Sequence, residues 1–213
     1  MKNRIDHFAI GAANLEQGVN MLREMLGVEI PRGGKHDMMS THNCVAQAGN
    51  SSFLEIISID PEAPAPNRTR WFSLDDPKTQ SRLAVKAGPL CWVVGTDDLD
   101  GIVAASPVDL GEIVTFTRGD RSWRLTIPED GSLPENALLP AFIEWSEGPH
   151  PSTGMQDPGI RLKQINLHHP DPEEFSGTLK VLQIDHLVNL IQRDESALSF
   201  TLQTPDGSEV IIS

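Results

Sequence analysis

Residues 4–27 read RIDHFAIGAANLEQGVNMLREMLG, and two kinds of structure succeed each other within them. The first nine residues are a mostly apolar run with β-branched isoleucines, suited to a strand buried on at least one face. At Asn14 the pattern changes. Its side chain can accept hydrogen bonds from the free amides of a first helical turn, and Gln17 stands at the third helical position as in a capping box. Leu15, Val19, Leu22 and Leu26 then form one apolar stripe at helical spacing, and Gly27 supplies the left-handed residue that ends such a helix. Three extended pieces follow, at 28–39, 43–47 and 52–59, the last two joined by a tight turn at Ala48-Gly49-Asn50. The unit is βαβββ.

The same order recurs twice. The second unit begins at Gly88: the strand PLCWVVGT (89–96) leads to a helix start at Asp97-Asp98-Leu99, with Ile102 and Val103 turned inward. The extended pieces EIVTFTR (112–118), SWRLTIP (122–128) and LLPAFIEW (138–145) complete it. From Ile160, RLKQINLHH is followed by Asp171-Pro172-Glu173-Glu174, an N-cap aspartate with proline at the first helical position. Phe175, Leu179 and Leu182 give the stripe, and HLVNLIQ, LSFTLQT and SEVIIS finish the unit, with Asp206-Gly207 as a hairpin turn. The helix starts are unequally spaced, so what repeats is topology and not a fixed period. The expected fold is α+β: two βαβββ modules paired into a curved mixed sheet around a cavity, with a third βαβββ-like unit at the C-terminus. The expected boundaries are 1–60 for the first module, 61–86 for a proline-rich connecting loop packed by Trp71 and Phe72, 87–148 for the second module and 160–213 for the third unit.

Composition narrows the partners. The chain has 213 residues, a formal charge of −13 and a pI near 4.8. Nucleic acid is not expected, because no Lys/Arg cluster exceeds Arg68-Thr69-Arg70. Two cysteines without disulfide or zinc-finger spacing, no signal-peptide pattern and no long apolar run suggest a soluble cytoplasmic protein that avoids membranes. The expected partner is a small-molecule substrate, with a homodimer as the simplest assembly.

Polar residues in the apolar strands are the candidates for chemistry. Glu55 stands among Phe53, Leu54, Ile56 and Ile57, where an unpaired carboxylate is costly and calls for a cation, a metal or a proton. His7 lies on the opening strand of the first unit. Cys91 precedes Asp98 by as many residues as His7 precedes Asn14, and Glu144 in AFIEW matches Glu55 in the closing strand. His168 and His169 are adjacent on a strand and so face opposite ways. His36 and His42 could rim the cavity, and Arg68, Arg70 and Trp71 lie in the proline-rich segment, where a guanidinium could meet an anion.

The stretches IDHFAIG…NLEQ, FLEII, RWFSLD and FIEW together resemble the glyoxalase-like branch of the vicinal oxygen chelate superfamily, over roughly residues 4–146. The resemblance implies two βαβββ modules around a divalent metal, with one ligand from the first and one from the fourth strand of each. On that pattern His7, Glu55 and Glu144 would hold Zn, Mn, Fe or Ni, and Glu55 and Glu144 would shuttle protons. Arg70, Trp71 and Trp92 would contact substrate. Cys91 departs from the pattern, where His or Gln is usual, and beside Trp92 it suits core packing. The third unit has Gln164 and Ile211 at the corresponding positions and no ligand. The implied activity is that of a metal-dependent lyase or isomerase acting on an oxygen-chelating substrate. The alternatives are a module that sequesters a small molecule without any metal, and a structural protein using the third unit as an interface.

Overall fold

A computed structural model describes residues 3–49 and 51–213. β1 (Arg4–Gly11) leads to α1 (Leu15–Leu26), where the Asn14 side chain accepts from Gln17 N and Gly27 closes the helix at φ 68°. The Gln17 side chain returns to Ala13 N at 2.9 Å, one residue earlier than a capping box. β2 (Arg32–His36), β3 (Thr41–Gly49) and β4 (Ser52–Ile59) complete the module; Asn50, the third residue of the expected turn, lies outside the described residues.

The segment expected to be a connecting loop contains a helix, α2 (Pro77–Val85). Asp76 accepts from Thr79 N and Pro77 occupies the first turn, the same start signal that marks the third unit's helix. The second module follows as β5 (Gly88–Gly95), α3 (Leu99–Ala105) capped by Asp98, β6 (Glu112–Arg118), β7 (Arg121–Ile127) and β8 (Ala141–Trp145). β8 starts later than expected because a 3₁₀ turn at Pro134–Ala137 precedes it. The third unit is β9 (Arg161–His169), α4 (Pro172–Val181) capped by Asp171, β10 (Asn189–Gln192), β11 (Ala197–Gln203) and β12 (Glu209–Ile212).

The eight-stranded sheet has the order β2-β3-β4-β1-β5-β8-β7-β6. In each module the first strand runs parallel to the fourth, β1 beside β4 and β5 beside β8, and the modules join through antiparallel β1 and β5. The third unit shares the order of elements but not the wiring. Its sheet is β10-β9-β11-β12, with β9 parallel to the strand directly after its helix.

Alternation along β1 assigns the faces. Phe8 and Ile10 point to the convex side, where they pack with α1, α3 and the apolar face of the C-terminal sheet, including Phe200 against Phe8. His7 and Ala9 point to the concave side, which Trp71, Phe72, Leu74 and Leu83 of the connecting segment cover from one end. What they leave open is the site.

Candidate active site

The concave face holds a cavity of about 510 Å³ including its mouth, lined by His7, Asn43, Glu55, Trp71, Arg118 and Trp145 among others. Its polar floor comes from the first module. β1 has a bulge between Ile5 and His7, so Asp6 is the extra residue opposite β5 and can reach the same side as His7. Asp6 is wholly buried and accepts from His7 Nδ1 at 2.7 Å, Trp145 Nε1 at 2.8 Å and His150 Nε2 at 2.9 Å. Burial alone would raise its pKa, but the hydrogen bonds from His150 and His7 outweigh that and hold it far below the ordinary carboxylate value. Asp6 is therefore an anion with three donors.

These bonds fix tautomers. His150 Nδ1 accepts from Ser152 N at 3.3 Å, so its proton sits on Nε2 and points at Asp6. His7 gives its Nδ1 proton to Asp6, which leaves Nε2 turned toward Glu55 Oε2 at 3.7 Å.

A second network fixes Glu55. Gly34 N donates to Asn43 Oδ1 at 2.8 Å, which orients the amide, and Asn43 Nδ2 donates to Glu55 Oε1 at 2.6 Å. The other Nδ2 proton faces His36 Nε2 at 3.4 Å, and His36 Nδ1 reaches Thr41 Oγ1 at 3.0 Å. Burial lowers the His36 pKa to about 4, so this ring is a neutral prop. Glu55 Oε2 and His7 Nε2 are the two atoms left to act.

The second module contributes apolar wall: Trp123, Leu125, Ile143 and Trp145. Glu144 is not brought to His7 and Glu55. It lies on the opposite face, paired with Arg124 and accepting from Leu99 N at 3.4 Å at the start of α3. Sheet register gives the reason. Glu55 lies opposite Ala9, whose counterpart in β5 is Val93, and Val93 lies opposite Ala141. The position equivalent to Glu55 is thus Ala141, and an odd offset from it turns Glu144 to the other side. Cys91 does face the concave side but is wholly buried in the apolar core; burial, then the charge of Glu55, raises its thiol pKa well above the usual value.

Of the residues expected to contact substrate, Trp71 lines the cavity. Trp92 is wholly buried in the convex core and donates to Leu138 O at 3.1 Å, and Arg70 is held by Asp75 at 2.7 Å. Arg68 pairs with Glu112 at 2.9 Å, while His42 lies 3.9 Å from Asp60 and outside the cavity lining. His36 does line it. Asp6, Asn43, Trp145, His150 and Arg118 escaped the sequence reading. The one signal for Asp6 was a charge inside an apolar strand beside His7.

The family profile described as a glyoxalase-like domain matches residues 5–182. The chain belongs to the glyoxalase-like family. With it goes the vicinal oxygen chelate superfamily, whose paired βαβββ modules the eight-stranded sheet displays. A hypothetical protein from Staphylococcus aureus is similar to this glyoxalase-like chain over 99% of its length and 98% of that chain, at TM-score 0.63 and 12% identity. A Streptomyces coelicolor methylmalonyl-CoA epimerase variant in complex with 2-nitronate-propionyl-CoA matches over 70% of this chain and 98% of that chain, at TM-score 0.44 and 18% identity. Methylmalonyl-CoA epimerase from Mycobacterium tuberculosis matches over 68% and 88%, at TM-score 0.43 and 14% identity. No curated protein sequence matches. No helix among the described residues is long and apolar enough to cross a membrane.

The superfamily's four-ligand metal pattern does not fit these residues. Its four register positions hold His7, Glu55, the protonated thiol of Cys91 and Ala141, which has no donor atom. Among the described residues no three His, Cys, Asp or Glu side chains converge as a metal would require.

Proposed function

We propose that this glyoxalase-like chain is an enzyme that moves a proton on a small carbonyl-bearing substrate, with Glu55 and His7 as the acid–base pair. One observation carries the reading: two separate hydrogen-bond networks leave Glu55 Oε2 and His7 Nε2 facing each other at 3.7 Å in an aromatic cavity. A carbon acid next to a carbonyl loses its proton to Glu55; that proton passes from Glu55 Oε2 to the bare His7 Nε2, and the imidazolium so formed returns it to the enolate at carbon or oxygen. The buried Asp6 anion stabilises the imidazolium while it exists. Catalysis through a bound metal, the lyase or isomerase chemistry expected from the superfamily, is not built into this scheme, because the donor set supplies two ligands where four are usual.

A second reading, sequestration of a small molecule, is favoured by the lining itself: Phe53, Trp71, Phe72, Trp123 and Trp145 enclose a ligand whatever its chemistry. Solvent-deuterium exchange separates the two. In D2O, NMR should show label entering the carbon next to the ketone carbonyl in one or more members of a panel of 2-oxo acids, 2-oxo esters and 1,2-dicarbonyls. The Glu55→Gln protein should lose about 10²-fold or more of that rate while keeping its fold. Exchange at the wild-type rate in Glu55→Gln removes the acid–base role; binding without exchange across the panel leaves sequestration standing.

A further inference from the structure

The cavity is lined by one permanent cation, and nothing in the proton-transfer scheme uses it. Arg118 ends β6, and its guanidinium carbon stands over the Trp123 ring at 5.9 Å from the centroid. β6 and β2 are the two outer edges of the sheet, yet Arg118 lies against β2: a Cβ built on Gly34 would come within 2.9 Å of Arg118 Nη1. The sheet has curled until its edges meet, and Arg118 bridges them at the cavity mouth. Gly34 leaves the space that the guanidinium occupies.

Most nearby basic groups are spoken for. Lys35 is tied to Asp60 at 2.7 Å and Glu62 at 3.2 Å, and Arg68 and Arg70 have the carboxylates of Glu112 and Asp75. Among the described residues Arg118 has no carboxylate partner. In a chain of net charge −13, an arginine kept on an aromatic face at a cavity mouth without an ion-pair partner is a specific arrangement.

We propose that the substrate carries a carboxylate, and that Arg118 reads it while the apolar body and carbonyl reach down to Glu55 and His7. A planar guanidinium matches a carboxylate with two parallel hydrogen bonds, and one cation balances one charge. A phosphate dianion would call for more positive charge than the lining offers. The substrate class is then an apolar oxo acid. The oxo group rests on the proton-transfer reading, whereas the anion preference rests on Arg118 alone and is measured by binding.

The test compares 4-methyl-2-oxopentanoate with its methyl ester by calorimetry on the whole chain. The acid should bind wild type about 10-fold or more tightly than the ester, and added salt should narrow the gap. Arg118→Gln should abolish the preference. Gly34→Ala, which displaces the guanidinium without removing it, should reduce it, and each variant's melting curve reports whether it is folded. Glu55→Gln should keep the preference while losing exchange. Equal binding of acid and ester by wild type, a preference that survives Arg118→Gln, or no binding of the acid at millimolar concentration overturns the proposal. An intact preference without any exchange overturns the proton-transfer scheme instead.

Discussion

Asp6→Asn tests the site at its hinge. The carboxylate of Asp6 offers acceptors to three N–H groups, on His7, Trp145 and His150. Asparagine keeps one oxygen and replaces the other with a donor. If the new amino group faced Trp145 and His150, it would oppose two N–H bonds, and His150 could not yield because its Nδ1 is taken by Ser152 N. The amide therefore settles with its amino group toward His7, which must surrender its Nδ1 proton and carry it on Nε2, pointing at Glu55. Three charge-assisted bonds become neutral ones at a loss of about 1 kcal/mol each, so about 2–3 kcal/mol of stability goes. In a chain of this size that lowers Tm by roughly 5–10 °C. The changed tautomer blocks proton acceptance at Nε2, and exchange should fall by about 10²-fold or more. The pH dependence adds a check. Because the folded pKa of Asp6 lies below its unfolded value, its contribution is complete above about pH 4 and fades as pH falls further. The wild-type advantage in Tm should shrink there. Exchange within about 3-fold of wild type, together with a Tm within about 1 °C at neutral pH, would refute the assignment of Asp6 as the hub.

Three other perturbations have defined outcomes. Glu144→Gln should leave deuterium exchange unchanged and cost about 0.5–1 kcal/mol in urea unfolding, since its ion pair with Arg124 is partly solvated. Trp92→Phe removes the bond to Leu138 O in the convex core; it should lower stability by about 1–2 kcal/mol and leave ligand affinity as it was. His36 is held neutral with a pKa of about 4 against 6.5 when free, so the unfolded chain binds a proton that the folded chain refuses. Stability should fall as pH drops from 6.5 toward 4, and His36→Gln should flatten that stretch of the denaturation profile.

The repeated unit was legible because its signals are local. Asn14, Asp98 and Asp171 each cap a helix as their side chains and neighbours suggest, and the strands fall on the apolar runs. His7 and Glu55 were legible for a related reason: a polar group in an apolar strand must be satisfied by something. The helix at Pro77–Val85 carried the same kind of start signal in Asp76-Pro77, but the proline-rich context before it masked the change of state. Glu144 went astray for a different reason. Matching FIE to FLE compares letters, whereas the face of a β-residue depends on its register with the neighbouring strand, which no local pattern contains. Trp145, His150 and Arg118 come from β8, the following linker and the far edge of β6. Their role exists only once the sheet has closed.

The two modules repeat more than their order of strands, and that sharpens where they part. β1 is bulged at Asp6, just before His7, and β5 shows a register shift between Cys91 and Pro89, which leaves Leu90 as its extra residue just before Cys91. The irregularity therefore recurs at equivalent positions, and in each case it brings the residue preceding the inward-facing one toward the concave side. In the first module that residue is a carboxylate holding a histidine. In the second it is a leucine, packed with Leu83 beside the thiol of Cys91 in the concave core. The same backbone device thus orients His7, the proposed proton carrier, in one half and fills space in the other. The second half still serves the first, since Trp145 and the linker's His150 supply two of the three N–H donors to Asp6. Chemistry confined to one module and braced by the other accounts for a half-set of ligands better than a metal centre that has lost two of its four donors.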